Sequence, residues 1–367
     1  MRNIPFLDLK VQYRSIKGEI KERLHRVLES AQFSLGAEVE DFERKFAAFC
    51  EAQYCIACNS GTSALHLALL ASGIKPGDEV VLPSHTFIAT AEAVSYCGAK
   101  PVFADINPRT YNIGPLEVKA RITNRTKAVI PVHLYGQAAD IDSIKEICVQ
   151  NGLVLIEDAA QAHGARYKGK RVGGCGNTTC FSFYPGKNLG AYGEGGAVVT
   201  DDESLALTMK MLRDHGQLKK YYHESIGFNY RMDGFQGAVL NVKLKYLDQW
   251  NASRRTKAEL YNRLLDGTQI VTPFEPDYSK SVFHLYVILS GERDKLQDYL
   301  WNKGIHTGLH YPLPVHLQIA YKSLGYKRGD LPVTEATADS LLSLPIYPEL
   351  EDSNIEYICT SIKKFFS

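Results

Sequence analysis

The chain has 367 residues, 45% of them apolar and 23% charged, and 42 lysines and arginines against 41 acids leave a net charge of +1. That length calls for a large domain with a smaller one beside it, in an ordinary globular composition. The even charge balance offers no electrostatic footprint for nucleic acid or an anionic membrane, so an anionic ligand needs a local site.

The opening "MRNIPFLDLKVQYRSI" has no apolar core of signal-peptide length, and no later run approaches a membrane span, so a cytoplasmic protein is expected. Two amphipathic segments follow, near 15–30 and 38–50. From about 50 to 200, short apolar runs alternate with helical patterns. The strand candidates are "YCIAC" (54–58), "EVVLP" (79–83), "KPVFADI" (100–106), "AVIPVH" (128–133), "LVLIED" (153–158), "TCFSF" (179–183) and "GAVVT" (196–200). Helical stretches such as "TSALHLALLASG" (62–73) and "DIDSIKEICVQNG" (140–152) lie between most of them. Strands buried on both faces read as unbroken apolar runs, and intervening helices imply parallel crossovers. The fold class is therefore α/β, with a large, mostly parallel-sheet domain over residues 1–247. After "FQGAVLNVKLKYLDQW" (235–250) the pattern changes to helix-like "ASRRTKAELYNRLL", strand-like "VFHLYVILS" and helix-like "RDKLQDYLWNKG", with Pro-rich loops such as "HYPLPVH". A smaller α+β domain is expected over 248–367.

Eight cysteines, mostly within apolar segments, fit reduced thiols better than a disulfide framework. Cys55 and Cys58 form a C-x-x-C, but no second pair completes a zinc site and no helix opens at the first cysteine. Buried strand cysteines are the simpler reading, and no metal is expected.

Ligands of open α/β sheets bind beyond the carboxyl ends of the strands, which ranks the candidates. "NSGTSALHLAL" (59–69) turns directly from a strand into a helix, whose free N–H groups and positive dipole end suit a phosphate. A capped helix after a turn is the plainer reading. Asp158 ends the apolar strand of "LVLIEDAAQAHGA", where a carboxylate serves a ribose, a metal or a protonated ring nitrogen, while Glu157 points to the opposite face. Gln161 and His163 do not complete a metal motif with it. "GARYKGKR" (164–171) matches G-x-x-x-x-G-K but has Arg171 where a P-loop needs a hydroxyl, and no helix follows. Lys187 sits in a glycine-bounded turn beside Phe181, Phe183 and Tyr184, where a lysine screened from water becomes a nucleophilic amine. A phosphate cup, a strand-end acid and a lysine in that chain order meet the requirements of pyridoxal 5′-phosphate: an anchor, a partner for the pyridinium nitrogen and an amine for a Schiff base.

With "NSGTSALHLAL", "GDEVVLPSHTFIATAEAV", "PVHLYGQAADID", "IEDAAQAHGA", "FSFYPGKNLGAYGEGGAVVT" and "GFNYRMDGFQGAVL" in order, the chain resembles the DegT/DnrJ/EryC1/StrS nucleotide-sugar aminotransferases, of the aspartate-aminotransferase-like fold type I. The resemblance spans nearly the whole chain, from "IPFLDLKVQY" to "LSLPIYPEL". It implies Lys187 as the Schiff-base lysine, Asp158 as the partner of the pyridine nitrogen and Gln161 beside the phenolic oxygen. Gly61, Thr62 and Ser63, helped by Ser182, match the phosphate cup, and Phe87 the aromatic stacked on the pyridine. Asn229 resembles a phosphate contact supplied by a neighbouring subunit, which implies a homodimer. "DAAQAHGA" with "FSFYPGKNLGA" is similar to the branch acting on 3-oxo sugars, with His163, Tyr184, His310 and Tyr311 on the substrate side. By family analogy the donor is L-glutamate and the acceptor a dTDP- or UDP-3-oxo sugar. A 4-oxo-sugar or cyclitol aminotransferase and a non-catalytic cofactor-binding sensor are the alternatives. Dehydratase relatives carry histidine in place of the lysine, so Lys187 argues against them.

The chain departs from the family pattern at Ser63, where an acid is common, and in "GEGG", where "GDGG" is usual. It also departs in "NYRMDGFQGAVL", whose Gly234 and Gly237 each cost a helix about 1 kcal/mol relative to alanine.

Overall fold

The computed structural model describes residues 2–367. Seven strands form the central sheet: β1 (Tyr54–Cys58), β2 (Glu79–Pro83), β3 (Lys100–Ala104), β4 (Thr126–Val129), β5 (Val154–Asp158), β6 (Thr178–Ser182) and β7 (Gly196–Thr200). Their spatial order is β1-β7-β6-β5-β4-β2-β3. Only β7 runs against its neighbours, pairing antiparallel with β1 and β6. The others run parallel and present their carboxyl ends along one edge.

The unbroken apolar runs have their reason in two buried faces. Cys55, Ala57, Val81, Leu155, Phe181, Ala197 and Val199 pack with helices Ala37–Cys50 and Ile141–Asn151 on one side. Their alternates Ile56, Cys58, Val80, Leu82, Ile156, Cys180 and Val198 pack with helices Gly61–Ala71, Ala89–Tyr96 and Glu203–Arg213 on the other. All eight cysteines are free, and Cys55 and Cys58 are buried strand residues. The "GARYKGKR" segment is a small antiparallel hairpin, and Arg171 donates to both carboxylate oxygens of Asp248, at 2.9 and 2.8 Å.

Beyond the sheet, the run 235–250 divides into two helices, Gly234–Leu244 and Leu247–Leu265. A two-stranded antiparallel sheet, Tyr286–Leu289 with Leu341–Leu344, then packs with helices Leu247–Leu265, Arg293–Asn302 and Asp352–Phe365. Tyr261 and Tyr286 stack there, ring centroids 4.6 Å apart. Ile4, far from this region in sequence, bridges to Ile305 and joins the same cluster.

The two glycines that weaken a helix on propensity are packing residues. A Cβ on Gly234 would lie 2.3 Å from the carbonyl oxygen of Gln32, and one on Gly237 2.9 Å from the backbone of Glu38 and Val39. Helix Gly234–Leu244 thus lies backbone against backbone on helix Ala37–Cys50. Gly237→Ala gains about 1 kcal/mol of helix propensity but overpacks the contact by about 1–3 kcal/mol. A net loss of stability is expected, read as a lower urea midpoint at unchanged m-value.

Candidate functional site

A cavity of about 640 Å³ opens at the carboxyl edge of the sheet. Its wall is assembled strand by strand: Ser60–Thr62 after β1, Thr86–Thr90 after β2, Val132 after β4, Asp158–Gln161 at the end of β5 and Ser182–Lys187 after β6. Arg254, His284, His310 and Tyr311 close the cavity from the C-terminal region, and Phe6 and Leu7 from the N-terminus.

Asp158 is nearly enclosed, 4% exposed. Its Oδ2 accepts from the Thr90 hydroxyl at 2.8 Å and its Oδ1 from the Ala160 amide at 3.1 Å. Burial pushes the carboxyl up; those two hydrogen bonds and the charge of Lys187 pull it back. A cationic ring nitrogen against its remaining lone pairs would favour the ionised form further. On the other face, the fully buried Glu157 accepts from His133 Nε2 at 2.7 Å and Asn177 Nδ2 at 2.8 Å. His133 Nδ1 accepts from the Ala139 amide, so the imidazole proton sits on Nε2.

Lys187 reaches the cavity from the turn between β6 and β7, its amide bound to the Tyr184 carbonyl at 2.9 Å. Burial lowers its ammonium from 10.5 to about 8, against the opposing pull of Asp158. Its neighbour Asn188 locks the turn, donating through Nδ2 to the Val282 carbonyl at 3.1 Å and to Asn251 Oδ1 at 2.9 Å. Asn251 in turn donates to the His163 carbonyl at 2.8 Å, tying the lysine turn to the loop that follows Asp158.

The first turn of helix Gly61–Ala71 faces the cavity, and a Cβ on Gly61 would meet Ser182 Cβ at 2.5 Å. Only glycine lets the helix start approach β6 this closely, leaving a cradle of small residues and helix-terminal amides suited to a phosphate. Gln161 is held by both ends: Oε1 accepts from the Tyr135 amide at 2.7 Å and Nε2 donates to the Tyr311 hydroxyl at 3.2 Å. The Phe87 ring is half exposed at the wall, 5.6 Å from that of Tyr311. His310 Nδ1 pairs with Ser343 Oγ at 2.8 Å, and Tyr184 stands exposed at the mouth. A planar phosphorylated pyridine aldehyde finds here an anion cradle, an aromatic face, a carboxylate and an amine, and the residues fit it.

Two residues expected on this cavity, Ser63 and His163, do not line it. Ser63 turns away from the cavity, its hydroxyl bound to Asn59 Oδ1 at 2.7 Å and Ser60 Oγ at 2.9 Å. His163 lies beneath the site, fully buried beside the rings of Phe181 and Phe183, at 5.4 and 5.6 Å. Burial lowers its imidazole to about 3, so it packs as a neutral ring. Asn229 is exposed, with Oδ1 bound to Arg231, and takes no part in the wall of this cavity. The structure adds Thr90, Tyr135, Asn188, Asn251, Arg254 and His284, none of which stands in a spacing that marks it. Among the described residues there is no cluster of three or more metal-ligating side chains, and no helix long and apolar enough to cross a membrane.

The sequence profile of the DegT/DnrJ/EryC1/StrS aminotransferase family matches residues 14–363. A Geobacillus stearothermophilus protein named "Pleiotropic regulatory protein" is 48% identical over 99% of both chains. The dTDP-3-amino-3,4,6-trideoxy-alpha-D-glucose transaminase of Streptomyces venezuelae is 47% identical over 95% of this chain and 92% of its own. Among solved structures, S. venezuelae DesV in complex with a ketimine intermediate superposes with a TM-score of 0.98 at 45% identity, covering 100% of this chain and 99% of that one. NtdA from Bacillus subtilis with bound cofactor PMP superposes at 0.91 and 32% identity, over 99% of this chain and 86% of that one.

The lowered Lys187 ammonium has a direct consequence in the cofactor-free protein. Acylation of Lys187, followed by peptide mass spectrometry, is expected to rise through pH about 8 and then level off, while lysines near the ordinary 10.5 are still climbing.

Proposed function

The chain belongs to the DegT/DnrJ/EryC1/StrS aminotransferase family, whose members depend on pyridoxal phosphate, and from that premise we propose that it moves an amino group from L-glutamate to the keto carbon of a nucleotide-linked 3-oxo sugar. The observation that carries this reading is the convergence of Lys187, Asp158 and the Gly61 helix start on one cavity. The transaminase name of the Streptomyces relative and the close superposition on DesV support the sugar class.

In this reading Gly61, Thr62 and Ser182 hold the phosphate, Phe87 covers one ring face, and Gln161 orients the phenolic oxygen. Asp158 keeps the proton on the pyridine nitrogen. When bound, pyridoxal phosphate supplies an electron sink that lets an amino group pass between carbons in two half-reactions. Lys187 would present its Nζ to the cavity as the unprotonated amine that holds the cofactor's aldehyde carbon and, when free, as the group that takes and gives back the substrate's proton. An ammonium lowered to about 8 suits both duties, since Brønsted behaviour favours a group poised near the working pH.

We place the reaction in the cytoplasm and the working unit as a homodimer. Asn229, exposed and outside the cavity of its own chain, is the phosphate contact offered to the neighbouring subunit.

Lys187→Ala is expected to lower turnover by at least about 10²–10⁴-fold with an unchanged melting temperature. The wild-type holoenzyme should lose its visible absorption on addition of L-glutamate while releasing one equivalent of 2-oxoglutarate. A band that persists without keto acid removes glutamate as donor, and one that persists with every amino acid favours a sensor. For the dimer, mixing Lys187→Ala with Asn229→Asp, which sets a carboxylate against the phosphate, should yield hybrids with one intact site and activity above either parent. No recovery after proven subunit exchange would exclude a shared site.

A further inference from the structure

His284 lies in the bend that precedes strand Tyr286–Leu289, and its partly exposed side chain lines the cavity. Its tautomer can be assigned from its partners. The Val282 and His163 carbonyls can only accept, so Asn188 Nδ2 and Asn251 Nδ2 face them, and Asn251 Oδ1 and Asn188 Oδ1 are the acceptor ends. Asn188 Oδ1 lies 3.1 Å from His284 Nδ1, which must therefore carry the proton and donate. Nε2 is left with its lone pair and no partner among the described residues. Burial first, then the charges of Lys187 and Arg254 with His310 and His163 close by, hold the ring well below its ordinary value and keep it neutral.

A neutral acceptor shares a wall with the amine and is tied to the residue next to it. The amino donor's reacting carbon bears a carboxylate, which offers only lone pairs. The keto carbon of a sugar is flanked by carbons bearing hydroxyls, which donate. Resting on the sugar reading above, we propose that His284 Nε2 accepts a hydrogen bond from a hydroxyl flanking the sugar's keto carbon, and so serves acceptor recognition rather than the donor half-reaction. Asn188 and Asn251 are the positioning residues that fix its tautomer.

His284→Asn separates the two nitrogens, because an asparagine amide replaces the Nδ1 donor to Asn188 but reaches nothing at Nε2. The test is calorimetric binding of an unreactive dTDP-3-hydroxy-6-deoxyhexose to the holoprotein, repeated with its 2-deoxy and 4-deoxy counterparts. Loss of one neutral hydrogen bond is expected to weaken binding of the full sugar about tenfold in His284→Asn, with the difference vanishing for one deoxy sugar. Rates of the separate half-reactions should show the same selectivity, the sugar step falling about tenfold more than the glutamate step. His284→Gln, which restores an acceptor near Nε2, should recover part of the loss. Equal weakening with every sugar, or equal falls in both half-reactions, would make His284 structural and overturn the proposal. Wild-type protein that binds none of these sugars while still reacting with glutamate would overturn the sugar reading, and the proposal with it. Tight wild-type binding unchanged in His284→Asn would overturn the proposal alone.

Discussion

A carboxyl group taken out of water at the end of β5 is expensive to keep ionised, and the effective cost of burying such a charge is several kcal/mol even after relaxation. Asp158 meets that cost with a hydroxyl from Thr90, an amide from Ala160 and a lysine across the cavity. Lys187 has the opposite problem: the same desolvation weakens its hold on a proton, and only Asp158 resists. Two groups that each disfavour their own charge, set in one enclosed space, make a reactive amine and a carboxylate ready for a cation. Much of the surrounding structure holds that pair in register.

The register comes from amide chemistry. Asn188 and Asn251 connect the turn carrying Lys187, the loop following Asp158 and the segment at Val282–His284, and the two bonds that end on backbone carbonyls fix the direction of the others. Asn251 belongs to helix Leu247–Leu265, so the C-terminal region takes part in placing a lysine that precedes it by more than sixty residues. Buried networks of this kind are rigid only when every member is satisfied. His163 marks the contrast: its neutral ring packs between Phe181 and Phe183, with the Ser182 backbone as its polar neighbour.

The glycines have the same geometric origin. Gly61 allows a helix start to touch β6, and Gly237 allows two helices to meet at their backbones. Propensity alone marks Gly237 as a weak helix residue. The contact it permits sets a packing need against that propensity.

Much of this was legible in the chain itself. Unbroken apolar runs such as "EVVLP" and "GAVVT" mark strands buried on two faces, because both pleats of such a strand need apolar side chains. Asp158 and Lys187 stood out because an acid ending such a run, and a lysine among aromatics and glycines, break the local pattern. These are local properties, carried by a few adjacent residues. Thr90, Tyr135, Asn251 and His284 left no such mark, and Ser63 and His163 stood in the right motifs with side chains turned elsewhere. Whether a side chain faces the cavity depends on strand order, on the antiparallel insertion of β7 and on hydrogen bonds between residues far apart in the chain. The sequence by itself determined the elements and the chemistry they carry, since periodicity and composition act within a few residues. The tertiary structure alone decided which groups share one desolvated space, because burial and hydrogen-bond direction are set by whatever segment folds alongside.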